Sequence, residues 1–158
     1  MGSVTPWLWF DMNGEDAARF YTALFPNSRI GEITHYGSAN PGREGQAMTV
    51  SFELDGQPLV ALNGGSSFRL NEAFSLMVSC KDQEEVDRYW DALTADGGEE
   101  SDCGWLKDKY GLSWQIIPEA LPRLLGDPDR EKSQRVMAAM LKMKKIEVAE
   151  LERAAEAV

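Results

Sequence analysis

Few side chains in this sequence have the chemistry that an active site needs. There is one histidine, His35, and there are two cysteines, Cys80 and Cys103. Zinc sites usually take several imidazole or thiolate ligands, and Ser-His-Asp catalysis needs a histidine. The sequence therefore excludes most zinc sites and any such triad that is not built around His35. A place on a strand, at the surface or at a dimer contact, is the more ordinary role for this histidine.

Two further side chains are candidates for catalysis. Cys103 is close in sequence to Lys107, and a nearby cation would activate a thiol, but no histidine stands at a fixed spacing, which favours a structural cysteine. Glu72 precedes a predicted strand, where its carboxylate could serve as a general base. Loop carboxylates are more commonly just solvated. The catalytic candidates are thus Glu72 and Cys103, each with a simpler structural interpretation.

The charge balance limits the classes of partner. The 158 residues include 16 Lys and Arg against 26 Asp and Glu, a formal net charge of −10. A protein that binds a phosphate backbone needs a basic patch, and an acidic surface is repelled by anionic lipids. We expect neither nucleic acid nor a membrane as a partner. Residues 119–158 hold equal numbers of acids and bases, so the whole excess of acid lies in residues 1–118.

The sequence also predicts a compartment. It has no run of about 18 apolar residues that would cross a membrane. Its first six residues lack the basic and apolar regions of a secretory signal peptide. Two distant cysteines in a chain of this length do not make a disulfide scaffold. We therefore expect a cytoplasmic protein with free thiols.

An internal repeat shows which elements must position these side chains. The segment 19–24 (RFYTAL) matches segment 88–93 (RYWDAL), 69 residues downstream. A strand-like run precedes each copy, acidic residues open each helix, and Pro26 or Gly97-Gly98 ends it. Three strand-like runs then follow in each half, near residues 30–36, 46–54 and 57–63 and near residues 100–103, 104–108 and 112–117.

The repeat predicts an α+β fold of two tandem βαβββ modules. The modules are expected at residues 1–66 and 67–118, followed by a helical extension at 119–158, all in one structural domain. Asp127-Pro128 is typical of a helix start. Apolar residues at helical spacing then predict a core or subunit contact, namely Val136, Met137, Met140, Leu141 and Met143.

Several short motifs occur here in a familiar order: residues 7–24, 61–65 (ALNGG), 68–73 (FRLNEA), 103–111 (CGWLKDKYG) and 113–115 (SWQ), with the tail 124–146. Together they resemble the PhnB-like branch of the vicinal oxygen chelate superfamily, which includes glyoxalase, bleomycin resistance and dioxygenase proteins. Members often carry the label 3-demethylubiquinone-9 3-methyltransferase. The glycine-rich strand–turn–helix loop that would bind S-adenosylmethionine is not evident, because Gly64-Gly65 leads into Ser66, Ser67 and Phe68.

The resemblance implies a cupped sheet that holds a divalent metal in the chelating members. Its ligands are His, Gln or Glu, taken from the first and last strand of each module. If Leu8, Phe10, Val60, Leu62, Leu76, Val78, Trp114 and Ile116 pack against the helices, the ligand positions fall at Thr5, Ala61, Ser75 and Gln115. None of these is an imidazole or a carboxylate, so we predict no catalytic metal and no other cofactor.

The predicted cup lining is aromatic and rich in amides: Trp7, Trp9, Asn63, Phe68, Asn71, Trp105 and Gln115. Apolar walls with few polar groups are typical of a small-molecule pocket. The alternative is that the tryptophans fill the cup and leave no cavity. The run Asn63–Ser67 could offer backbone N–H groups to an anion, but a flexible connection between the modules is the simpler interpretation.

The leading hypothesis is a metal-free protein that binds an unknown small molecule and forms a homodimer. One alternative is a metal-dependent lyase, isomerase or dioxygenase of the same superfamily. A methyltransferase is suggested by the family label alone. A structural role through dimer formation is the third alternative.

Overall fold

Within residues 4–157, eight strands and five α-helices follow one another, and those of the two modules come in the order that the repeat predicts. The computed structural model describes residues 4–157, so part of the segment used for the signal-peptide prediction, residues 1–3, lies outside the described residues. The elements are β1 (Trp7–Phe10), α1 (Gly14–Leu24), β2 (Arg29–His35), β3 (Ala47–Leu54), β4 (Gln57–Asn63), β5 (Ser75–Cys80), α2 (Gln83–Thr94), β6 (Glu99–Glu100), β7 (Trp105–Lys107), β8 (Ser113–Pro118), α3 (Ala120–Leu125), α4 (Arg130–Met140) and α5 (Val148–Glu156).

The two halves have the same topology. One sheet has the strand order β1-β4-β3-β2 and the other the order β5-β8-β7-β6. In each, the first and last strands of the module pair in parallel and the remaining pairs are antiparallel. This confirms the predicted α+β fold of two βαβββ modules with C-terminal helices. The chain divides into two compact units between Leu70 and Asn71.

The core of the first unit lies between its sheet and α1. Leu8 and Phe10 on β1 are buried, as predicted, and so are the α1 residues Ala17, Ala18 and Tyr21. The predicted alternation along β4, with Val60 and Leu62 packed against the helix, is wrong by one residue. Leu59, Ala61 and Asn63 are buried against α1, whereas Val60 and Leu62 are only half-buried. The parallel pairing of β1 with β4 explains which β4 residues face α1, because it places Ala61 beside the buried Leu8 and Asn63 beside the buried Phe10.

The core of the second unit forms in the same way. Trp114 and Ile116 on β8 are buried as predicted, together with Leu106 on β7. They pack with the buried α2 residues Val86, Tyr89, Trp90 and Leu93. Asp82 caps α2, because its carboxylate accepts a hydrogen bond from the N–H of Glu85 at 3.0 Å.

A buried carboxylate fixes the turn between β7 and β8. Asp108, which is 3% exposed, accepts hydrogen bonds from the N–H groups of Tyr110 and Leu112 at 2.8 and 3.1 Å. It also accepts one from Nε1 of Trp114 at 2.8 Å. A buried charge is tolerated when its lone pairs are satisfied in this way. The turn therefore holds the start of β8 in place.

The C-terminal helices have their own core and a fixed attachment to the second module. Their apolar cluster is formed by Leu121, Leu124, Val136, Ile146, Leu151 and Ala155, with Met140 and Met143 packed against it. The predicted stripe is thus partly a core face, although Leu141 is exposed. No helix in residues 4–157 combines the length and the apolar character that crossing a membrane requires.

The attachment is the connector between α4 and α5, residues 141–147. The N–H groups of Cys103 and Gly104 donate to the carbonyls of Met143 and Lys144 at 2.8 and 2.7 Å. The Gln83 side chain on α2 donates to the carbonyl of Ile146 at 2.9 Å and accepts from the N–H of Val148 at 2.7 Å. Lys145 also pairs with Asp87 at 2.9 Å.

We expect Gln83→Ala to weaken this attachment, because it removes both amide bonds to the connector. The free energy of unfolding in urea should fall by about 1–3 kcal/mol, and hydrogen exchange should quicken at the N–H of Val148. Gln134→Ala is the matched control, since Gln134 is an exposed glutamine on α4. If Gln83→Ala unfolds like this control and the Val148 exchange is unchanged, the amide does not hold the connector.

Candidate functional site

The face of the first sheet that points away from α1, here called the far face, carries an aromatic group. Trp7 and Trp9 alternate with the buried Leu8 and Phe10, so they lie on this face as predicted. Trp7 is 57% exposed. The ring of Phe68 meets Trp9 edge-on, with 4.9 Å between the ring centroids and an interplanar angle of 84°. Phe68 is itself 65% exposed, so this pair leaves apolar surface in solvent.

The glycine pair after β4 makes room for Trp9. A Cβ placed on Gly64 would lie 2.4 Å from the indole ring of Trp9. Gly65 has a φ of +91°, a conformation that favours glycine. Its carbonyl accepts a hydrogen bond from Nε1 of Trp9 at 2.8 Å. Gly64 and Gly65 therefore pack against the Trp9 indole and bond to it. The sequence suggested only a flexible connection or an anion-binding loop for this segment.

An arginine that the sequence analysis did not select lies beside these aromatics. The hydroxyl of Tyr36 donates to the carbonyl of Asn63 at 2.5 Å, and Nη1 of Arg43 donates to that hydroxyl at 3.3 Å. The guanidinium carbon of Arg43 is 5.5 Å from the centroid of the Tyr36 ring. The two residues lie seven positions apart in the loop between β2 and β3, and no recognised spacing motif marks this pair.

Asn63 does not belong to the far face, and its prediction as a lining residue is wrong. The side chain is 3% exposed and lies on the α1 side of the sheet. Its Oδ1 accepts a hydrogen bond from the N–H of Gly14 at 2.7 Å, and its Nδ2 donates to the carbonyl of Ala47 at 3.0 Å. The amide therefore satisfies the first N–H of α1, which is a structural role.

A groove of about 340 Å³ follows the far face of the first sheet. Trp7 lies beside Val60, and Val60 lies beside Ser51, in neighbouring strands. Arg29 and Glu53 form an exposed ion pair at 3.2 Å across β2 and β3. That contact lowers the pKa of Glu53 and raises that of Arg29. The lining includes Thr5, Arg29, Gly31, Ser51, Glu53 and Val60.

The second sheet also has a far face, the one that points away from α2. Ser75 and Gln115 lie on it, and Nε2 of Gln115 donates to Oγ of Ser75 at 2.9 Å. Trp105 pairs in register with Gln115 and is half-buried. Asn71 is exposed, and its Oδ1 accepts from the N–H of Ala73 at 2.9 Å, as in a turn. Whether these residues contact a ligand stays a prediction.

The four positions implied for a metal do not offer a suitable donor set. Ala61 has no side-chain donor and is buried against α1, and the oxygen of Ser75 is bonded to Gln115. Thr5 supplies only a hydroxyl. His35 is exposed at the end of β2, and residues 4–157 contain no cluster of three His, Cys, Asp or Glu side chains that could hold a metal ion. Divalent transition metals prefer imidazole, thiolate or carboxylate ligands, so these positions do not fit one.

The two catalytic candidates occupy constrained positions. Glu72 forms an ion pair with Lys107. The hydrogen bond from that ammonium is the main cause that lowers the pKa of Glu72, which makes it a weaker base. Cys103 has a φ of +58° and is half-buried, and its N–H is used in the C-terminal attachment. Burial raises the pKa of the other thiol, Cys80, to about 12, which leaves it protonated at neutral pH.

The paired modules define a protein of the glyoxalase-like class. Residues 2–117 match the family described as 3-demethylubiquinone-9 3-methyltransferase, and the chain belongs to that family, the PhnB-like branch of the vicinal oxygen chelate superfamily. The solved PhnB protein from Bacillus cereus shares 33% sequence identity with this chain, with a TM-score of 0.67, over 74% of this chain and 99% of the other. The resemblance predicted from the sequence is thereby confirmed.

Two more distant structures share the fold. Protein PA1353 from Pseudomonas aeruginosa is 16% identical, with a TM-score of 0.62, over 75% of this chain and 98% of the other. The fosfomycin resistance protein FosX from Listeria monocytogenes is 18% identical, with a TM-score of 0.56, over 80% and 98%. The comparison with curated proteins produced no match.

We expect Gly64→Ala to displace the Trp9 indole, because the new methyl group would overlap the ring. The free energy of unfolding should fall by about 1–3 kcal/mol, and the near-ultraviolet circular dichroism of the tryptophans should change. Gly42→Ala is the matched control, since a Cβ at Gly42 meets nothing within 4 Å. Equal stability and unchanged spectra in the two variants would contradict this account of the Gly64–Trp9 contact.

Proposed function

We propose that this protein binds a small molecule on the far face of its first sheet and does so without a catalytic divalent metal. The observation that carries the proposal is the exposed aromatic surface of Trp7 and Phe68. Large apolar side chains that stay exposed together are typical of interaction sites. The groove on the same face, about 340 Å³, falls within the volume range of small-molecule pockets.

The polar groups around this surface support a ligand with a few hydrogen-bonding atoms. Arg43 supplies N–H donors beside the aromatic pair, and Ser51 adds a hydroxyl in the groove. A ligand site commonly combines apolar walls with a few such groups. The methyl transfer in the family's description does not carry over, because the Gly64-Gly65 segment is followed by a turn and by β5, with no helix that would open a nucleotide-type site.

Ligand binding can be tested with a panel of neutral mono- and bicyclic aromatic fragments observed by protein NMR. We expect fragments to shift the indole N–H resonances of Trp7 and Trp9, and Phe68→Ala to weaken their binding at least about fivefold. Phe20→Ala is the matched control, because Phe20 lies on α1, at the opposite side of that sheet. Fragments that leave both indoles unshifted, or that bind Phe68→Ala and Phe20→Ala equally, would contradict the proposal.

The prediction that no catalytic metal is bound is tested separately, by elemental analysis. The protein is purified without chelators from medium supplemented with nickel, zinc, iron and manganese salts. Elemental analysis should find less than about 0.1 ion per chain, and fragment binding should be unchanged by chelator, since the ligand positions lack suitable donors. A stoichiometric ion would support the metal-dependent lyase, isomerase or dioxygenase alternative.

We further propose that the protein is a cytoplasmic homodimer. Both cysteines are free, which suits a reducing compartment. Exposed apolar side chains such as Leu141 at the end of α4 and Met77 on β5 provide surface for a second copy. Sedimentation at micromolar concentration should give twice the chain mass of 17.6 kDa. A species of single-chain mass would contradict the dimer.

A further inference from the structure

One row of polar side chains crosses the far face of the second sheet. The register places Ser75 beside Ser113, Ser113 beside Lys107, and Lys107 beside Glu99, one residue on each strand. Directly paired residues project from the same face of a sheet. A cavity of about 120 Å³ opens along this row within the second unit. We call it the Ser113 cavity; its lining includes Glu72, Glu99, Glu100, Trp105, Lys107 and Ser113.

The hydroxyl of Ser113 lacks a hydrogen-bond partner. The residue is 1% exposed, and its Oγ has no partner among residues 4–157. Its neighbours in the row are already engaged, since the Ser75 hydroxyl accepts from Gln115 and the Lys107 ammonium pairs with Glu72. A buried polar group without a partner is unfavourable by about 1–3 kcal/mol. A hydrogen-bonding group from outside the chain would remove that penalty.

The charges around the cavity favour a cation. Its lining includes the acids Glu72, Glu99 and Glu100 and the ammonium of Lys107. The Glu100 carboxylate accepts a hydrogen bond from Nε1 of Trp90 on α2 at 2.8 Å, so Glu72 and Glu99 supply the acidic charge of the cavity. Lys107 offsets one of them, and its contact with Glu72 is the main cause that raises the lysine pKa. A metal ion is not the cation that suits this lining, because no cluster of three acidic, cysteine or histidine side chains in the described residues could hold one. An organic cation does not need three ligand side chains around one point, and Trp105 provides an aromatic ring that attracts a cation.

We propose that the Ser113 cavity binds the primary ammonium group of a small amine. The ammonium donates hydrogen bonds to Oγ of Ser113 and to the Glu99 carboxylate, beside the ring of Trp105. Lys107 is the cross-strand neighbour of Ser113, and its side chain is one-third exposed. It moves aside, still paired with Glu72, so that the amine reaches the Ser113 hydroxyl. The cavity is smaller than a pocket for a drug-sized molecule, so it takes the charged end of the amine and leaves the alkyl part outside.

This site is independent of the function proposed for the first sheet. All of its residues belong to the second unit, and its ligand is an aliphatic cation, whereas the aromatic face is tested with neutral rings. Fragment binding at Trp7 and amine binding at Ser113 can therefore fail separately.

The test uses n-butylamine as the probe, with butan-1-ol and butyrate as the neutral and anionic analogues of the same length. In NMR titrations of the full chain at pH 7, n-butylamine should shift the Trp105 indole N–H and the Ser113 amide, with a dissociation constant on the order of 1 mM. The two analogues should bind at least about tenfold more weakly, because they lack the ammonium charge.

Two variants locate the contact. Ser113→Ala removes the unpartnered hydroxyl and should fold normally, and Glu99→Gln removes one carboxylate; each should weaken n-butylamine binding at least about fivefold. Glu84→Gln, an exposed acid on α2, has the same effect on net charge and should leave binding unchanged. Undetectable binding at 50 mM (roughly 50 times the expected constant) would show that water alone satisfies Ser113 and would overturn the proposal. Equal binding of butan-1-ol, or full binding by Ser113→Ala, would overturn it as well.

Discussion

The side-chain amide of Asn63 is the interaction on which the first module depends. Three segments distant in sequence meet at this residue: the first N–H of α1, the first carbonyl of β3 and, at the Asn63 carbonyl, the hydroxyl of Tyr36. The amide is buried, so losing one bond would leave a polar group without solvent. Because Asn63 is the last residue of β4, the same contacts also fix where Gly64 begins and hence where Trp9 lies.

The second module has a comparable constraint in a different residue. The Asp108 carboxylate ties the turn before β8 to the indole of Trp114. Ser113 precedes Trp114 and Gln115 follows it, so this carboxylate sets the position of both far-face side chains. In each module, therefore, one buried polar side chain at a strand end determines which groups the opposite face presents. The two far faces differ chemically, with aromatics on the first and a polar row on the second.

Local patterns in the sequence predicted the elements better than the contacts between them. The repeat and its turn residues located α1, α2 and most strands, because strand and helix periodicity are short-range properties. The sequence predicts the wrong alternation along β4, because Leu59 to Leu62 are all apolar and only pairing with β1 decides which of them face α1. The same alternation places Asn63 in the predicted lining, whereas its side-chain partners come from α1 and β3. Lys107 and Glu72, 35 residues apart in sequence, lie close only in the folded chain.

The attachment of the C-terminal helices has a consequence for how this chain can vary. The family match ends at residue 117, and α3 to α5 follow it. Two successive residues with left-handed backbone, Cys103 and Gly104, direct their N–H groups to the connector. This part of the attachment is made by backbone groups on both sides, so it depends on the number of residues more than on their identity. Substitutions in the loop before β7 should be tolerated wherever this backbone shape is kept, whereas one inserted or deleted residue there would misalign the junction and release the appended helices.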